Sequence, residues 1–297
     1  MISTVTLVHN QENNLPTILK AYSNQSLLPE LFIFVLDRCT DNSKKIIEEF
    51  AIRFPTKIVE NTSGNGFLAG YCRDLGLSES NTNTLFLDGD CIPSENLFRE
   101  FDNALDVNEP SIAISKRINL CEDKVSFLPD SRETTPWYVN WIFGDENITI
   151  THLEVARVRM LTWSCSLGLN KLAILKIKEI NEILGFGNRL FPTNFDGKWG
   201  GEDDHIGHVA MFMNMRVIGL STRNTVTHIW HKSRTNTQYE AISNQTYDTL
   251  KEYFYSINSP GFHYSLVDID GHVYGYLNSI SGLESTNNVI IDEPFDE

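Results

Sequence analysis

The segment LFIFVL, residues 31–36, is apolar at every position. A strand with one face in water alternates apolar and polar side chains, so a strand apolar on both faces has to be covered on both sides. The flanking sequence supplies that cover. STVTLV, ahead of it, is a second apolar and β-branched strand, and NLPTILKAYSNQ between them sets Leu15, Ile18, Leu19 and Tyr22 at helical spacing. Behind it, Asp41 is expected to cap a helix carrying Ile46, Ile47, Phe50, Ala51 and Phe54 on one side, with Pro55 as the stop. KIVE reads as a third strand, FLAGYCRDLGL as a helix after the loop NTSGNG, and TLFLDGD as a fourth strand ending in acid. Ser94 is expected to cap the helix ENLFREFDNAL. Strands alternating with helices predict an α/β fold, an open and mostly parallel sheet whose ligands bind at the carboxyl ends of the strands. Asp37, Asp88 and Asp90 fall at such ends.

The second half is less regular. Residues 119–160 are rich in aromatic and charged side chains without a period. LTWSCSLGLN then reads as a strand and KLAILKIKEINEIL as an amphipathic helix stopped by Gly185. HIGHVAMFMNM is expected to bury Ile206, Val209, Ala210 and Met213 on one face, with His205 and His208 on the surface of the same helix. RVIGL is a further strand, followed by TVTHIWHKSR, and the tail from Thr235 shows no clear period. One domain over residues 1–234 is expected, with a nucleotide-binding half at 1–105, a catalytic half at 160–234 and an extension at 235–297 packed on it.

The charge balance narrows the partners. Lys and Arg total 24 against 39 Asp and Glu, a formal net charge of −15. Such a chain without a basic stripe is unsuited to wrapping nucleic acid or lying on an anionic membrane, and an anionic ligand needs local help from a metal or a few cationic side chains. Five scattered cysteines without zinc-like spacing predict reduced thiols and a cytoplasmic protein. No apolar run is long enough for an integral membrane segment, and the first residues lack a basic signal-peptide start.

Two acidic stations carry the chemistry. In LFLDGDC, Asp88 and Asp90 flank Gly89, which lets the backbone turn between them. Carboxylates so spaced can hold a divalent cation, which reverses the local sign and can in turn hold a diphosphate. Turn chemistry alone also accounts for a bare Asp-Gly-Asp; its place at the end of a buried strand favours the metal. In KWGGEDDHIGH, Glu202, Asp203 and Asp204 follow Trp199, Gly200 and Gly201. Acids suit the first turn of a helix, yet that does not explain the Trp-Gly-Gly ahead of them. A tryptophan face on which a sugar can stack, glycines that admit close approach, and crowded carboxylates of raised basicity together suit proton abstraction from a hydroxyl.

The pieces TLVHNQENNLP, FVLDRCTDNS, GFLAGYCRDLGL and TLFLDGDC resemble the nucleotide-binding half of family 2 glycosyltransferases with the GT-A fold, in order and separation. NFDGKWGGEDDHIGH resembles the Trp-Gly-Gly-Glu-Asp-Asp motif of galactosyltransferases, identical over residues 199–204, and related motifs of chondroitin-type and polypeptide N-acetylgalactosaminyl transferases. The resemblance implies an inverting, metal-dependent transferase that moves a sugar (Gal, GalNAc, Glc or GlcNAc) from a UDP-sugar to a hydroxyl of a glycan, lipid-linked or protein acceptor. It implies that Asp37 and Arg73 lie at the nucleotide base, with His9 and Asn10 lining the pocket. Asp88 and Asp90 would form the metal and diphosphate site. Asp203 would be the base, with Trp199, Gly201, Glu202 and Asp204 at the sugar and acceptor. From the TVTHIWHKSR stretch, His228 would join Asp90 on Mn²⁺ (or Mg²⁺), His231 being the second choice, and Lys232 and Arg234 would face the diphosphate. An imidazole among oxygen ligands favours Mn²⁺. One departure is Cys72-Arg73-Asp74, where the family often has Ala-Arg-Asn. The rival readings are a nucleotidyltransferase, for which HNQENNLP lacks the Gly-rich basic loop, and a non-catalytic binder of glycans or sugar nucleotides.

Overall fold

The buried strand of the opening segment lies second from one edge of a sheet built from alternating strands and helices. In the computed structural model, which describes residues 1–120, 148–150, 165–198, 200–229, 238–257, 263–269 and 272–278, the first half runs β1 (Ile2–Val8), α1 (Leu15–Ser23), β2 (Leu31–Asp37), α2 (Ser43–Ala51), β3 (Thr56–Asn61), α3 (Ala69–Leu77) and β4 (Asn83–Asp88). It continues with β5 (Cys91–Pro93), α4 (Leu97–Leu105), β6 (Ser111–Ile114), β7 (Lys116–Asn119), β8 (Ile148–Ile150) and β9 (Ser166–Leu169). Then come α5 (Lys171–Ile183), a 3₁₀ turn (Thr193–Phe195), α6 (Asp204–Phe212), β10 (Arg216–Gly219), β11 (Thr225–His228), α7 (Gln238–Ser256), β12 (His263–Ile269) and β13 (His272–Asn278).

Eight strands form one sheet in the order β3-β2-β1-β4-β9-β6-β10-β8. The first four are parallel. β9 is antiparallel to both β4 and β6, and β10 is parallel to β6, so the sheet is mixed and mostly parallel. As both-sided apolarity demands, β2 divides its side chains between two cores. Phe32, Phe34 and Leu36 pack with Ile18, Tyr22 and Phe98 on one face, while Ile33 and Val35 pack with Cys72 and Leu77 on the other. Each fully buried Phe or Ile of this kind contributes about 1.5–3 kcal/mol.

Several expectations shift in detail. Asp41 does not cap α2 in the usual way: Asn42 holds the cap position, and Asp41 accepts from the backbone N–H of Ser43 and of Glu12, tying α2 to the loop after β1. Ser94 lies two residues before the actual N-cap, Asn96, and its hydroxyl accepts from Thr225 N–H instead, joining the β5 turn to β11. His205 and His208 are buried, not on the helix surface. The reason is that α6 is covered on more than one side, by α5 and by α7, so every residue from His205 to Phe212 is buried. Met213, expected in the buried face, is the half-buried C-cap. The aperiodic tail contains a 19-residue helix, α7, and the hairpin β12–β13. Leu250 and Phe254 of α7 enter the main core, with Phe254 stacked on Phe212 at 5.3 Å. The described cysteines, Cys39, Cys72, Cys91 and Cys165, are free thiols. Among the described residues no helix is long and apolar enough to cross a membrane.

Candidate active site

The parallel strands β1, β2 and β4 end together, and their last residues carry the polar groups. Asp37 closes β2 and Asp88 closes β4, on either side of β1. Asp37 is buried and accepts from Arg38 Nε and Nη2 at 2.8 and 2.7 Å and from Asn61 Nδ2 at 2.8 Å. Burial works against its charge, but the guanidinium and the amide outweigh it and hold the carboxyl below its usual pKa. Arg38 reaches this position from a left-handed backbone, φ 49°, an arrangement that costs a non-glycine residue energy and tends to mark a functional turn. Its guanidinium also donates to the carbonyls of Gly64 and Gly66. At the end of β1, His9 Nδ1 donates to the Asp37 carbonyl at 2.6 Å, and Asn10 accepts from the Thr40 N–H at 2.8 Å. Both His9 and Asn10 are exposed.

The Asp-Gly-Asp turn is held against β1. Gly89 N–H donates to the Leu7 carbonyl at 2.8 Å, and a Cβ on Gly89 would lie 2.7 Å from that oxygen. Glycine is therefore required by close backbone approach. β11 pairs antiparallel with β5, His228 opposite Cys91, and Ile229 N–H donates to the Asp90 carbonyl. This register brings His228 Nε2 to 3.7 Å from Asp90 Oδ1. A carboxylate and an imidazole at this separation suit a transition metal such as Mn²⁺ better than Mg²⁺. Among the described residues no group of three or more metal-ligating side chains is preassembled, so the remaining ligands would have to come from elsewhere.

The acidic triple arrives on a loop of unusual backbone. Gly200 and Gly201 both have φ 87°, a region that side chains rarely adopt, which accounts for the paired glycines. Asp203 is the N-cap of α6, accepting from the Asp204 N–H, and Asp203 and Asp204 are half-buried. Glu202 points inward, 5% exposed. Its Oε1 accepts from Arg73 Nη1 at 2.8 Å, while Arg73 Nη2 donates to Asp88 Oδ1 at 2.7 Å. Arg73 is itself 4% exposed and lies over the Phe191 ring. Burial opposes its charge, but Asp88, Glu202 and Asp203 override this and keep it cationic. Glu202 is the carboxyl whose affinity for a proton rises: burial first, then the Asp203 charge, push it to about 7 despite Arg73. Crowding by Asp203 thus adds to the larger effect of burial at Glu202.

Two further contacts anchor this loop. Gly197 N–H donates to the Phe67 carbonyl, and Gly66, at φ 74°, packs so closely that a Cβ would lie 2.4 Å from the Gly197 oxygen. Asp74, on the turn of α3 after Arg73, accepts from the backbone N–H of Leu190 and Phe191 and from Arg189 Nε. Arg189 also forks onto Asp196 at 2.7 and 3.1 Å. Where the family often has asparagine, this chain has a carboxylate with its own arginine. Below it, His205 Nε2 donates to Asn181 Oδ1, and Asn181 Nδ2 donates to the carbonyls of Arg189 and Leu190.

The structure therefore gathers His9, Asn10 and Asp37 at one strand end, Asp90 with His228 at the next, and Asp88, Arg73 and Glu202 in one chain of ion pairs between strand and loop. Trp199, His231, Lys232 and Arg234 lie outside the described residues. Sequence reasoning did not single out Arg38, Asn61 or Arg189. A cation directly after a strand-end acid is a usable signal for Arg38; nothing local marks Asn61 or Arg189.

Known proteins agree with this architecture. A crystal structure of S. aureus TarS residues 1–349 in complex with UDP-GlcNAc is similar with TM-score 0.59 and 18% identity, over 78% of this chain and 59% of that one. A crystal structure of S. aureus TarS is similar with TM-score 0.57 and 17% identity, over 77% of this chain, which spans only 36% of the TarS chain. GalNAc-T7 with UDP, GalNAc and Mn²⁺ matches with TM-score 0.59 and 14% identity, over 87% and 50% of the two chains. No curated protein sequence matches. The profile of the family described as "Glycosyl transferase family 2" matches residues 3–173, more than half of the chain, and with the GT-A sheet and its acid-tipped strands it makes this protein a member of glycosyl transferase family 2.

Proposed function

We propose that the protein is an inverting glycosyltransferase that moves a hexosyl group, of the Gal/GalNAc or Glc/GlcNAc type, from a UDP-sugar to a hydroxyl of a glycan, lipid-linked or protein acceptor. The observation that carries this reading is the Asp88–Arg73–Glu202 chain, because it joins a strand-end donor carboxylate to the loop bearing Asp203. In this reading Asp37, Arg38 and Asn61 form the base pocket with His9 and Asn10: an acceptor flanked by donors suits the N3–H of uracil between its two carbonyls. Trp199 and Gly201 lie along the sugar, Asp204 binds an acceptor hydroxyl, and Asp203 takes the proton of the attacking hydroxyl. Lys232 and Arg234 neutralise the departing diphosphate. Asp90 and His228 would hold the Mn²⁺, which when bound supplies positive charge beside the diphosphate. TarS with UDP-GlcNAc and GalNAc-T7 with UDP, GalNAc and Mn²⁺ support the donor class by likeness of fold.

Thermal unfolding with UDP, GDP, CDP and dTDP, each with and without Mn²⁺, tests the donor half. A ligand that binds only the folded state raises Tm by mass action. A rise confined to UDP and dependent on Mn²⁺ is expected; the absence of a rise with every nucleotide would return the non-catalytic glycan-binder reading to the front.

A further inference from the structure

The Arg73 bridge is asymmetric. Its two Nη atoms are shared between Asp88 and Glu202, one bond to each. Glu202 Oε2 is fully buried and has no hydrogen-bond partner among the described residues. An unsatisfied buried carboxylate oxygen is costly, and a bidentate fork is the preferred way to satisfy it. Its available donors belong to the same guanidinium: Nη2, now held by Asp88, and Nε, which is itself buried without a hydrogen-bond partner among the described residues. Asp88 is the more open end of the bridge, 29% exposed in its side chain against 6% for Glu202, so a ligand that arrives at the strand ends meets Asp88 first.

We propose that Arg73 is a positioning residue that reports donor occupancy to the loop bearing Asp203: Asp88 would be drawn from the guanidinium toward the divalent cation that accompanies the donor, and the released Nη2 closes a second bond onto Glu202 Oε2. This inference rests on the reading of Asp88 as a donor-site residue. In this structure the guanidinium is divided, and Glu202 is held by one bond. With Asp88 drawn to the donor, the same guanidinium holds Glu202 by two, and the loop 200–206 is fixed through the residue next to Asp203. The exchange conserves hydrogen bonds, so the two arrangements lie close in free energy and a ligand with unequal affinity for them can select one. Phe191 under the guanidinium and the tight packing at Gly70, where a Cβ would lie 2.9 Å from Phe191 and 3.4 Å from Glu202, confine the bridge to the neighbourhood of the two carboxylates.

Hydrogen–deuterium exchange of the full chain, with UDP plus Mn²⁺ as the probe, separates the outcomes without an acceptor. In the wild type, exchange is expected to slow both at the strand ends 83–90 and at 200–206. In Glu202→Gln, which keeps the Arg73–Asp88 pair but weakens the far end of the bridge, slowing is expected at 83–90 while most of it at 200–206 is lost. Arg73→Gln should behave alike; if that variant fails to fold, Glu202→Gln decides. Equal protection of 200–206 in wild type and variant overturns the coupling and leaves the donor reading intact. Protection at neither segment in the wild type overturns both.

Discussion

The strand ends proposed to bind the donor and the loop proposed to carry the catalytic base are built in opposite ways. At the strand ends Asp37 and Asp88 sit where parallel strands stop, backbone pairing sets their spacing, and Asp90 follows on the turn held against β1 through Gly89. The described residues of the loop at 196–204 have only one backbone bridge of this kind, Gly197 to Phe67. The loop is held by ion pairs and packing drawn from far along the chain: Arg73 with Glu202, 129 residues apart, Arg189 with Asp74, 115 apart, and Gly66 against Gly197. A sheet end tolerates changes to single side chains because its geometry belongs to the backbone. A loop positioned by buried charge depends on each partner, since removing one leaves the other uncompensated.

That contrast can be broken most forcefully at Asp203. Asp203→Asn should lower transfer by about 10²–10⁴, the usual worth of a general base, while the UDP-dependent rise in Tm remains; unchanged transfer would remove Asp203 from the mechanism. Next in size is Arg189→Leu, which leaves the half-buried Asp74 with only the backbone N–H donors of Leu190 and Phe191 and should cost about 3 kcal/mol in denaturant unfolding, the low end for breaking a buried pair. Adding Asp74→Asn should recover part of that loss, and no recovery would mean that Arg189 acts through packing alone. Gly66→Ala should cost about 1–3 kcal/mol, through a strained φ and the clash with the Gly197 carbonyl; the same measurement on it reads how far the loop leans on this contact.

Smaller effects appear in pH dependence. Glu202 has its folded pKa raised from 4.5 to about 7, so the native state holds the extra proton in that window, and the stability it contributes below pH 4.5 is lost as pH rises through about 7. His205 is the reverse: burial lowers it from 6.5 to about 3, so its contribution is present above pH 6.5 and lost as pH falls toward about 3. Between pH 4.5 and 6.5 the two oppose each other. The Tm of Glu202→Gln should therefore fall more steeply than wild type as pH drops from 6.5 to 4.5, and that of His205→Gln less steeply; parallel curves would show that neither group titrates differently on folding. Smallest of all, Lys176→Ala, which breaks an exposed i,i+3 pair with Glu179 far from both regions, should leave Tm and activity unchanged.

Much of the first half of the sheet was legible because its signals are local. A both-sided apolar strand, an amphipathic helix and an acid at the strand end each lie within a few residues of one another. The acidic triple was legible as a motif for the same reason, and the positive φ of Gly200 and Gly201 explains the glycines seen there. His205 and His208 were misread because helical spacing reports one buried face, whereas α7, arriving from a tail without a visible period, covers another. Ser94 was misread because its hydroxyl serves a strand 131 residues later.

By itself, then, the sequence determined the alternation of strands and helices, the sheet they must form, and the residue types at its carboxyl edge, since all of these follow from short-range periodicity and propensity. Only the tertiary structure decided which charges meet: that Arg38 and Asn61 serve Asp37, that Arg73 joins Asp88 to Glu202, and that Glu202 rather than another acid of the triple is the one driven toward neutrality. Burial and Coulomb interaction depend on distance in space, and a chain of 297 residues carries no local record of what folding brings within 3 Å of a carboxylate.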